Sequence, residues 1–125
     1  MPVPLHQAKA ALFKTLGHPV RVRVLELLCE GPQAVRDLLA ATGVEASSLS
    51  QQLAVLRLAG IVTARREGST VVYELAGADV SELMRAARRI LTDLLTGQGE
   101  LLAELKADAL TGPAGPTGPT GEKRA

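Results

Sequence analysis

The sequence predicts an α+β fold that is mainly α-helical and carries a single β-hairpin. Apolar residues recur at helical spacing up to Gly60 and again from Asp79, whereas two short runs between residues 61 and 75 are rich in β-branched side chains. The apolar residues are nearly all Ala, Leu and Val, with one Phe, one Tyr and no Trp. We therefore expect an aliphatic core built mostly from helices.

Two helices are predicted at the start of the chain. In the first, from Leu5 to Leu16, apolar residues fall at helical spacing, and Gly17 ends it. Pro19 favours the first turn of a second helix, because its missing N–H would have no partner there. We expect that helix to run to about Glu30, where Gly31-Pro32 stops it.

Two shorter helices and a hairpin follow. The third helix is predicted over Gln33 to Thr42 with Gly43 as its C-terminal cap, and the fourth over about Ala46 to Ala59. Ile61 to Arg66 and Thr70 to Leu75 are the predicted strands of the hairpin.

A fifth helix begins at about Asp79, where Asp79 or Ser81 is expected to cap it. Its apolar stripe from Val80 to Leu95 is longer than a thin domain needs for its own core, which favours self-association. The glycines of Thr96 to Gly99 are expected to end or bend this helix, and a further short helix is predicted around Leu101, Leu102 and Leu105.

The end of the chain has glycine at every third place over residues 112–121, as collagen does. A segment with so few triplets is too short to form a triple helix. A flexible tail is therefore the better interpretation. We expect residues 1–110 to form one folded domain, and residues 111–125 to form a Gly/Pro-rich, collagen-like tail.

Composition and motifs exclude several classes of protein. A single cysteine excludes an intrachain disulfide and suits a reducing cytosol. No signal peptide and no apolar stretch of about 18–20 residues is visible, so we expect a cytoplasmic protein without a membrane contact. No Ser/His/Asp, Cys/His or paired-carboxylate arrangement is visible, and no phosphate-binding glycine loop, so we expect no enzyme.

The order of the elements is that of a winged helix-turn-helix domain, which binds double-stranded DNA through its second short helix. Hydroxyl and amide side chains on that helix are suited to phosphates and base edges, and Gln can pair bidentately with adenine. No acidic residue occurs from Ala46 through Gly60, although a merely solvated face is the alternative. The predicted contacts on this helix are Ser47, Ser48, Ser50, Gln51 and Gln52.

Basic residues around this helix are further candidates for DNA contacts. The net charge of +1 gives no general attraction to nucleic acid, so the basic residues would have to lie on one face. Arg65 and Arg66 precede the hairpin tip, where a wing grips the flanking backbone or minor groove. Arg36 and Arg57 are weaker candidates.

Three segments together resemble the ArsR/SmtB family of bacterial repressors: LGHPVRVRVL at residues 16–25, SSLSQQLAVLRLAGIV at 47–62 and RREGSTVVYEL at 65–75. The resemblance covers roughly residues 5 to 95. It implies a homodimer in which the first and last helices pack against their mates, and an effector that changes the affinity for a palindromic operator.

The residues expected at the dimer interface are Leu5, Leu12, Leu83, Ala87, Ile90, Leu91 and Leu94. Two-fold symmetry would present two recognition helices to successive major grooves, about 34 Å apart, and therefore predicts an inverted-repeat site.

The metal-binding pattern of many family members is missing. They use a Cys-x-Cys pair before the recognition helix or His and acidic ligands on the last helix, and this chain has neither; Gln52 also replaces a common His. Only His6, His18 and Cys29 remain as scattered soft ligands, whereas such a metal ion needs three or four converging ligands. His6 is a weak candidate that could join acidic side chains of a partner's last helix.

The sequence therefore predicts a repressor whose effector is a divalent transition metal such as nickel or zinc at a non-standard site, a small molecule, or a second protein that supplies the sensing. The alternative is a winged-helix protein-interaction module without DNA binding of its own. Salt-dependent DNA binding would distinguish the two.

Overall fold

Five helices and a three-stranded antiparallel sheet occupy the part of the chain that the computed structural model describes, residues 2–111, with side chains described for residues 2–107. The predicted fold class, mainly α with a β-hairpin, is confirmed. In chain order the elements are α1 (Leu5–Leu16), α2 (Pro19–Leu28), β1 (Gln33–Ala34), α3 (Val35–Thr42), α4 (Ala46–Leu58), β2 (Val62–Glu67), β3 (Thr70–Leu75) and α5 (Asp79–Thr111).

The strand β1 is absent from the sequence prediction, which began a helix at Gln33. Gln33 and Ala34 instead pair with Tyr73 and Val72 of β3, and α3 begins only at Val35. Two residues are too few for an alternating apolar pattern, so nothing in the local sequence indicated a strand. The pairing makes β3 the central strand, in the order β1-β3-β2, and ties the start of α3 to the hairpin.

The core is an aliphatic cluster of residues from α1 to β2, with no aromatic side chain among its fully buried members. Leu49, Leu53 and Leu56 of α4 expose 1%, 2% and 0% of their surface, and they pack with leucines and valines of the neighbouring elements. Burying each such side chain stabilises the fold by roughly 1.5–3 kcal/mol. These three leucines therefore set the rotation of α4 about its own axis. The buried partners are Leu16, Val24, Leu25, Leu28, Leu38, Ile61 and Val62.

Local signals position the helix ends. The backbone N–H of Val20 donates to Nδ1 of His18 at 3.1 Å, so His18 caps α2, and Pro19 occupies its first turn. Gly43 ends α3 in the left-handed region, with φ of 70°, as its predicted role as a cap requires. The turn between α3 and α4 is thus only three residues long, from Gly43 to Glu45.

The helix α5 differs from the prediction, because it continues without a break through Thr96–Gly99 to Thr111. Each glycine costs a helix only about 1 kcal/mol relative to alanine, and the surrounding Leu, Glu and Lys are strong helix formers. The residues predicted as a further short helix belong to α5. Asp79 lies in its first turn rather than before it, where a carboxylate favours the helix dipole.

The described chain divides into two units within α5. In the first, which ends at Met84, the side chains of Val80, Leu83 and Met84 pack against the core. The second begins at Arg85 and comprises the rest of α5. The predicted collagen-like tail lies outside the described residues from position 112 onward. No helix among the described residues is long and apolar enough to cross a membrane.

Replacement of Leu53 by Ala should lower the free energy of unfolding by about 2–5 kcal/mol, because it leaves a cavity where α4 meets the core. Urea denaturation at fixed protein concentration measures the loss. The control is Leu58→Ala on the same helix, where the side chain is 89% exposed and a change within about 0.5 kcal/mol is expected. Equal losses for the two variants would refute the assigned rotation of α4.

Candidate nucleic-acid interface

The polar residues of α4 lie on the sides of the helix that the leucine face leaves free. Ser47, Ser50 and Gln51 are exposed, and Ser48 and Gln52 are half-buried. Ser47 and Gln51 are four residues apart and therefore lie above one another on one face. The five predicted contact residues thus occupy the first two turns of a helix whose opposite side is anchored in the core.

Two neighbours flank α4 on different sides. Ser50 lines a cavity of about 160 Å³ together with residues of α3 and β3, which include Val71 and Tyr73. Ser50 therefore lies on the side of α4 that faces the sheet. Gln52 lies on the side that faces α2, because its side chain contacts Arg21 of that helix.

Arg21 is the residue at this site that the sequence reasoning missed. Its Nη1 donates a hydrogen bond to Oε1 of Gln52 at 2.6 Å, and its Nε donates to the main-chain oxygen of Thr15 at 2.6 Å. Arg21 and Gln52 are 31 positions apart, so no helical spacing connects them. The only available signal was that Arg21 lies in the first of the three segments that resemble the ArsR/SmtB family.

The two arginines of the hairpin differ in their partners. Arg65 forms ion pairs with Glu67, at 2.7 Å, and with Glu74 on the adjacent strand. The hydrogen bond from Arg65 to Glu67, aided by the charge of Glu74, raises the pKa of the guanidinium above its ordinary value, although desolvation opposes the rise. Arg66 is exposed and forms no ion pair with any residue that the structure describes. Of the two wing arginines, Arg66 is therefore the one whose positive charge no described carboxylate compensates.

The remaining candidates lie at the borders of the helix-turn-helix. Nη1 of Arg36 donates to Oγ1 of Thr70 at 3.1 Å, which connects α3 to the first residue of β3. Arg57 is exposed in the last turn of α4, where a cation favours the helix dipole.

The residues expected at a dimer interface fall into two groups. Most of them are exposed apolar side chains: Leu5 and Leu12 on α1, and Ile90, Leu91 and Leu94 on α5. Leu83 packs against the core of its own chain, and Ala87 is half-buried.

The soft metal ligands are not brought together within one chain. His6 is exposed on α1, His18 caps α2, and Cys29 follows the end of α2. Over residues 2–107 the structure holds no group of three His, Cys, Asp or Glu side chains placed to bind a metal ion.

A helix pair joined by a three-residue turn, with a polar second helix and a hairpin that follows it directly, defines a winged helix-turn-helix protein. Comparison with known proteins agrees: residues 18–64 match the family described as bacterial regulatory protein, arsR family. An uncharacterized HTH-type transcriptional regulator of Mycobacterium tuberculosis, Rv0081, is 48% identical over 105 residues, which cover 83% of this chain and 92% of that protein. The chain belongs to the arsR family and is a helix-turn-helix transcriptional regulator.

Solved structures of transcriptional regulators resemble most of the chain. The crystal structure of Rv0081 has a TM-score of 0.72 at 48% identity and covers 78% of this chain and 98% of its own. The transcriptional repressor BigR from Xylella fastidiosa has a TM-score of 0.65 at 40% identity, with coverage of 68% and 87%. Mb0332 from Mycobacterium bovis, described as a homodimeric winged helix-turn-helix DNA-binding domain, has a TM-score of 0.66 at 34% identity, with coverage of 73% and 84%.

Proposed function

We propose that this protein is a repressor that binds an inverted-repeat operator in double-stranded DNA as a homodimer, and that an effector modulates its affinity. The observation that carries the proposal is the outer face of α4. Ser47 and Gln51 are exposed there, opposite the buried leucines, Ser50 is exposed on the side that faces the sheet, and no carboxylate occurs from Ala46 to Gly60. Hydroxyl and amide groups on a helix of this kind bind base edges and phosphates in the major groove. The activity proposed is binding, without catalysis.

The hairpin is proposed to contact the DNA backbone beside α4. Arg66 is the main wing residue in this proposal, because its charge is not compensated by any described carboxylate. Arg65 would first have to give up Glu67 and Glu74, so it contributes less. Arg36 and Arg57 are proposed as secondary phosphate contacts from the borders of the motif.

Homodimerisation is proposed through the exposed apolar residues of α1 and α5. Leu5, Ile90 and Leu91 each expose more than half of their surface, at 69%, 59% and 57%. Within α5, Ile90, Leu91 and Leu94 form one exposed apolar stripe, and an exposed apolar patch of this kind marks an interaction site. The homodimeric domain of Mycobacterium bovis supports a second copy of this chain as the partner. Because the DNA target of a bacterial regulator is the chromosome, we propose that the protein acts in the cytoplasm.

Replacement of Arg66 by Ala should weaken binding about equally for all DNA sequences and should lower the salt slope by about 1, because one phosphate contact is lost. Replacement of Gln51 by Ala should instead relax the choice of sequence and leave the salt slope unchanged. Fluorescence anisotropy with operator and scrambled duplexes at several salt concentrations measures both quantities.

Arg65→Ala is the matched control for the wing, and a smaller effect than that of Arg66→Ala is expected because Arg65 is already ion-paired. Identical behaviour of the Arg66 and Gln51 variants would contradict the division into backbone and base contacts. Absence of any salt-dependent DNA binding by the unaltered protein would favour the protein-interaction module instead.

Replacement of Leu91 by Asp should shift the protein from dimer to monomer, because a carboxylate in an apolar interface is left without a partner. The monomer should bind the operator poorly, since one half-site supplies only half of the contacts. Analytical ultracentrifugation measures the mass, and Thr96→Asp is the control because Thr96 is an exposed polar residue outside the apolar stripe. A dimeric Leu91→Asp protein would place the interface elsewhere.

The effector is proposed to be a divalent transition metal, a small molecule or a second protein. Because a single chain brings no three ligands together over residues 2–107, a metal site would need ligands from both subunits, and His6 on the exposed helix α1 is the candidate. Ni(II) or Zn(II) should then change the operator affinity of the unaltered protein but leave that of His6→Ala unchanged. If the metal changes the affinity of neither protein, the search would turn to a small-molecule effector or a sensing partner protein.

A further inference from the structure

The guanidinium of Arg21 lies between the end of α1 and the middle of α4. It donates to the main-chain oxygen of Thr15 through Nε and to Oε1 of Gln52 through Nη1, both at 2.6 Å. Arg21 and Gln52 are both half-buried. Hydrogen bonds from a charged donor are about twice as strong as neutral ones, so both contacts hold the group firmly. We call this arrangement the Arg21 bracket.

The bracket decides which way the amide of Gln52 faces. A guanidinium has donors only, so it can bind only the oxygen of the amide and never its NH2 group. The Nε2 group of Gln52 makes no hydrogen bond with the described residues, and no buried side-chain nitrogen or oxygen among them lacks a partner. The NH2 group of Gln52 therefore reaches solvent, on the helix that carries the proposed DNA contacts.

We propose that Arg21 is a positioning residue that makes Gln52 a hydrogen-bond donor toward the DNA, so that Gln52 selects a base with acceptors in the major groove. Guanine presents two acceptors there, O6 and N7, thymine presents O4 and adenine presents N7, whereas cytosine presents only a donor. A free Gln could turn its amide over and accept from that donor, and the Arg21 bracket prevents this. The inference rests on the proposed DNA binding and adds to it one residue that need not touch DNA.

The geometry also distinguishes this role from that of a phosphate contact. Two of the donors of Arg21 are already directed at protein oxygens on α1 and α4. Arg23, two positions along α2, is exposed and pairs with Glu26 at 3.2 Å, so it offers a matched control on the same helix. Arg21→Met keeps an apolar stem but loses both hydrogen bonds, and Arg21→Lys keeps the charge but cannot hold two separate oxygens in the same fork geometry.

The first experiment needs no DNA. In ¹⁵N-labelled full-length protein, the side-chain NH2 signals of Gln52 should shift in Arg21→Met and in Arg21→Lys but not in Arg23→Met. Thermal unfolding of the same samples confirms that each variant is folded. Unchanged Gln52 signals in a folded Arg21→Met protein would overturn the Arg21 bracket, whatever the protein does with DNA.

The second experiment selects binding sites from a randomised duplex library with each protein. Gln52→Ala should lose about tenfold discrimination at one base pair in each half-site, and Arg21→Met and Arg21→Lys should lose it at the same pair. The double variant Arg21→Met/Gln52→Ala should lose no more than Gln52→Ala alone, because the two residues act as one unit. For each Arg21 variant, the affinity for scrambled DNA and the salt slope should equal those of Arg23→Met.

Besides unchanged Gln52 signals, two results of the second experiment overturn the inference. A uniform loss of affinity in Arg21→Met, with a salt slope lower by about 1 and with the lost affinity restored in Arg21→Lys, would make Arg21 a phosphate contact. A wild-type protein that selects no sequence would overturn the proposed function, and the base-selecting role of Gln52 with it, while the NMR result would still report on the hydrogen bond itself.

Discussion

The contact of Leu49, Leu53 and Leu56 with the aliphatic core is the interaction on which the candidate interface depends. The three side chains are almost completely buried, and they fix the rotation of α4 relative to α2 and α3. If that rotation changed by one residue, Ser47 and Gln51 would turn about 100° away from the surface they now form. Close packing of branched side chains permits no such slip without loss of several buried contacts. The burial of the three leucines thus determines which residues form the exposed polar face of α4.

Helix α4 depends on this packing most at its N-terminal end, where its own sequence supports a helix weakly. Three serines lie in its first five residues, and Glu45 at its N-cap makes no side-chain hydrogen bond to the helix. Short helices of this kind are marginal in water, and tertiary contacts supply most of their stability. The Arg21 bracket adds a hydrogen bond to Gln52 on the side of α4 that faces α2. Residues that bind other molecules can therefore be poor helix formers, because the neighbouring elements hold the backbone in place.

The sequence predicted most of the fold because its signals are local. The bounds of α1 and the first residue of α4 agree with the prediction, since helical periodicity and glycine caps determine them. The prediction failed where contacts between residues distant in the sequence determine the structure. Strand β1 exists only because β3 lies beside it. The contact between Arg21 and Gln52 joins two helices that no sequence spacing relates. The break predicted near Gly97 was wrong, because the two glycines destabilise the helix by less than the surrounding helix-forming residues stabilise it.

Charge illustrates the same limit at the site itself. The net charge of +1 gave no support for a DNA-binding protein, and the sequence alone assigned equal weight to Arg65 and Arg66. In an antiparallel strand neighbouring side chains point to opposite faces, so adjacent arginines meet different surroundings. Arg65 meets two carboxylates and Arg66 meets none among the described residues. A nearly neutral chain can thus present net positive charge locally, because its carboxylates are placed to cancel some arginines and not others. In the proposed function, the attraction to phosphate depends on individual unpaired guanidiniums, and removal of one should lower the affinity for DNA by its whole contribution.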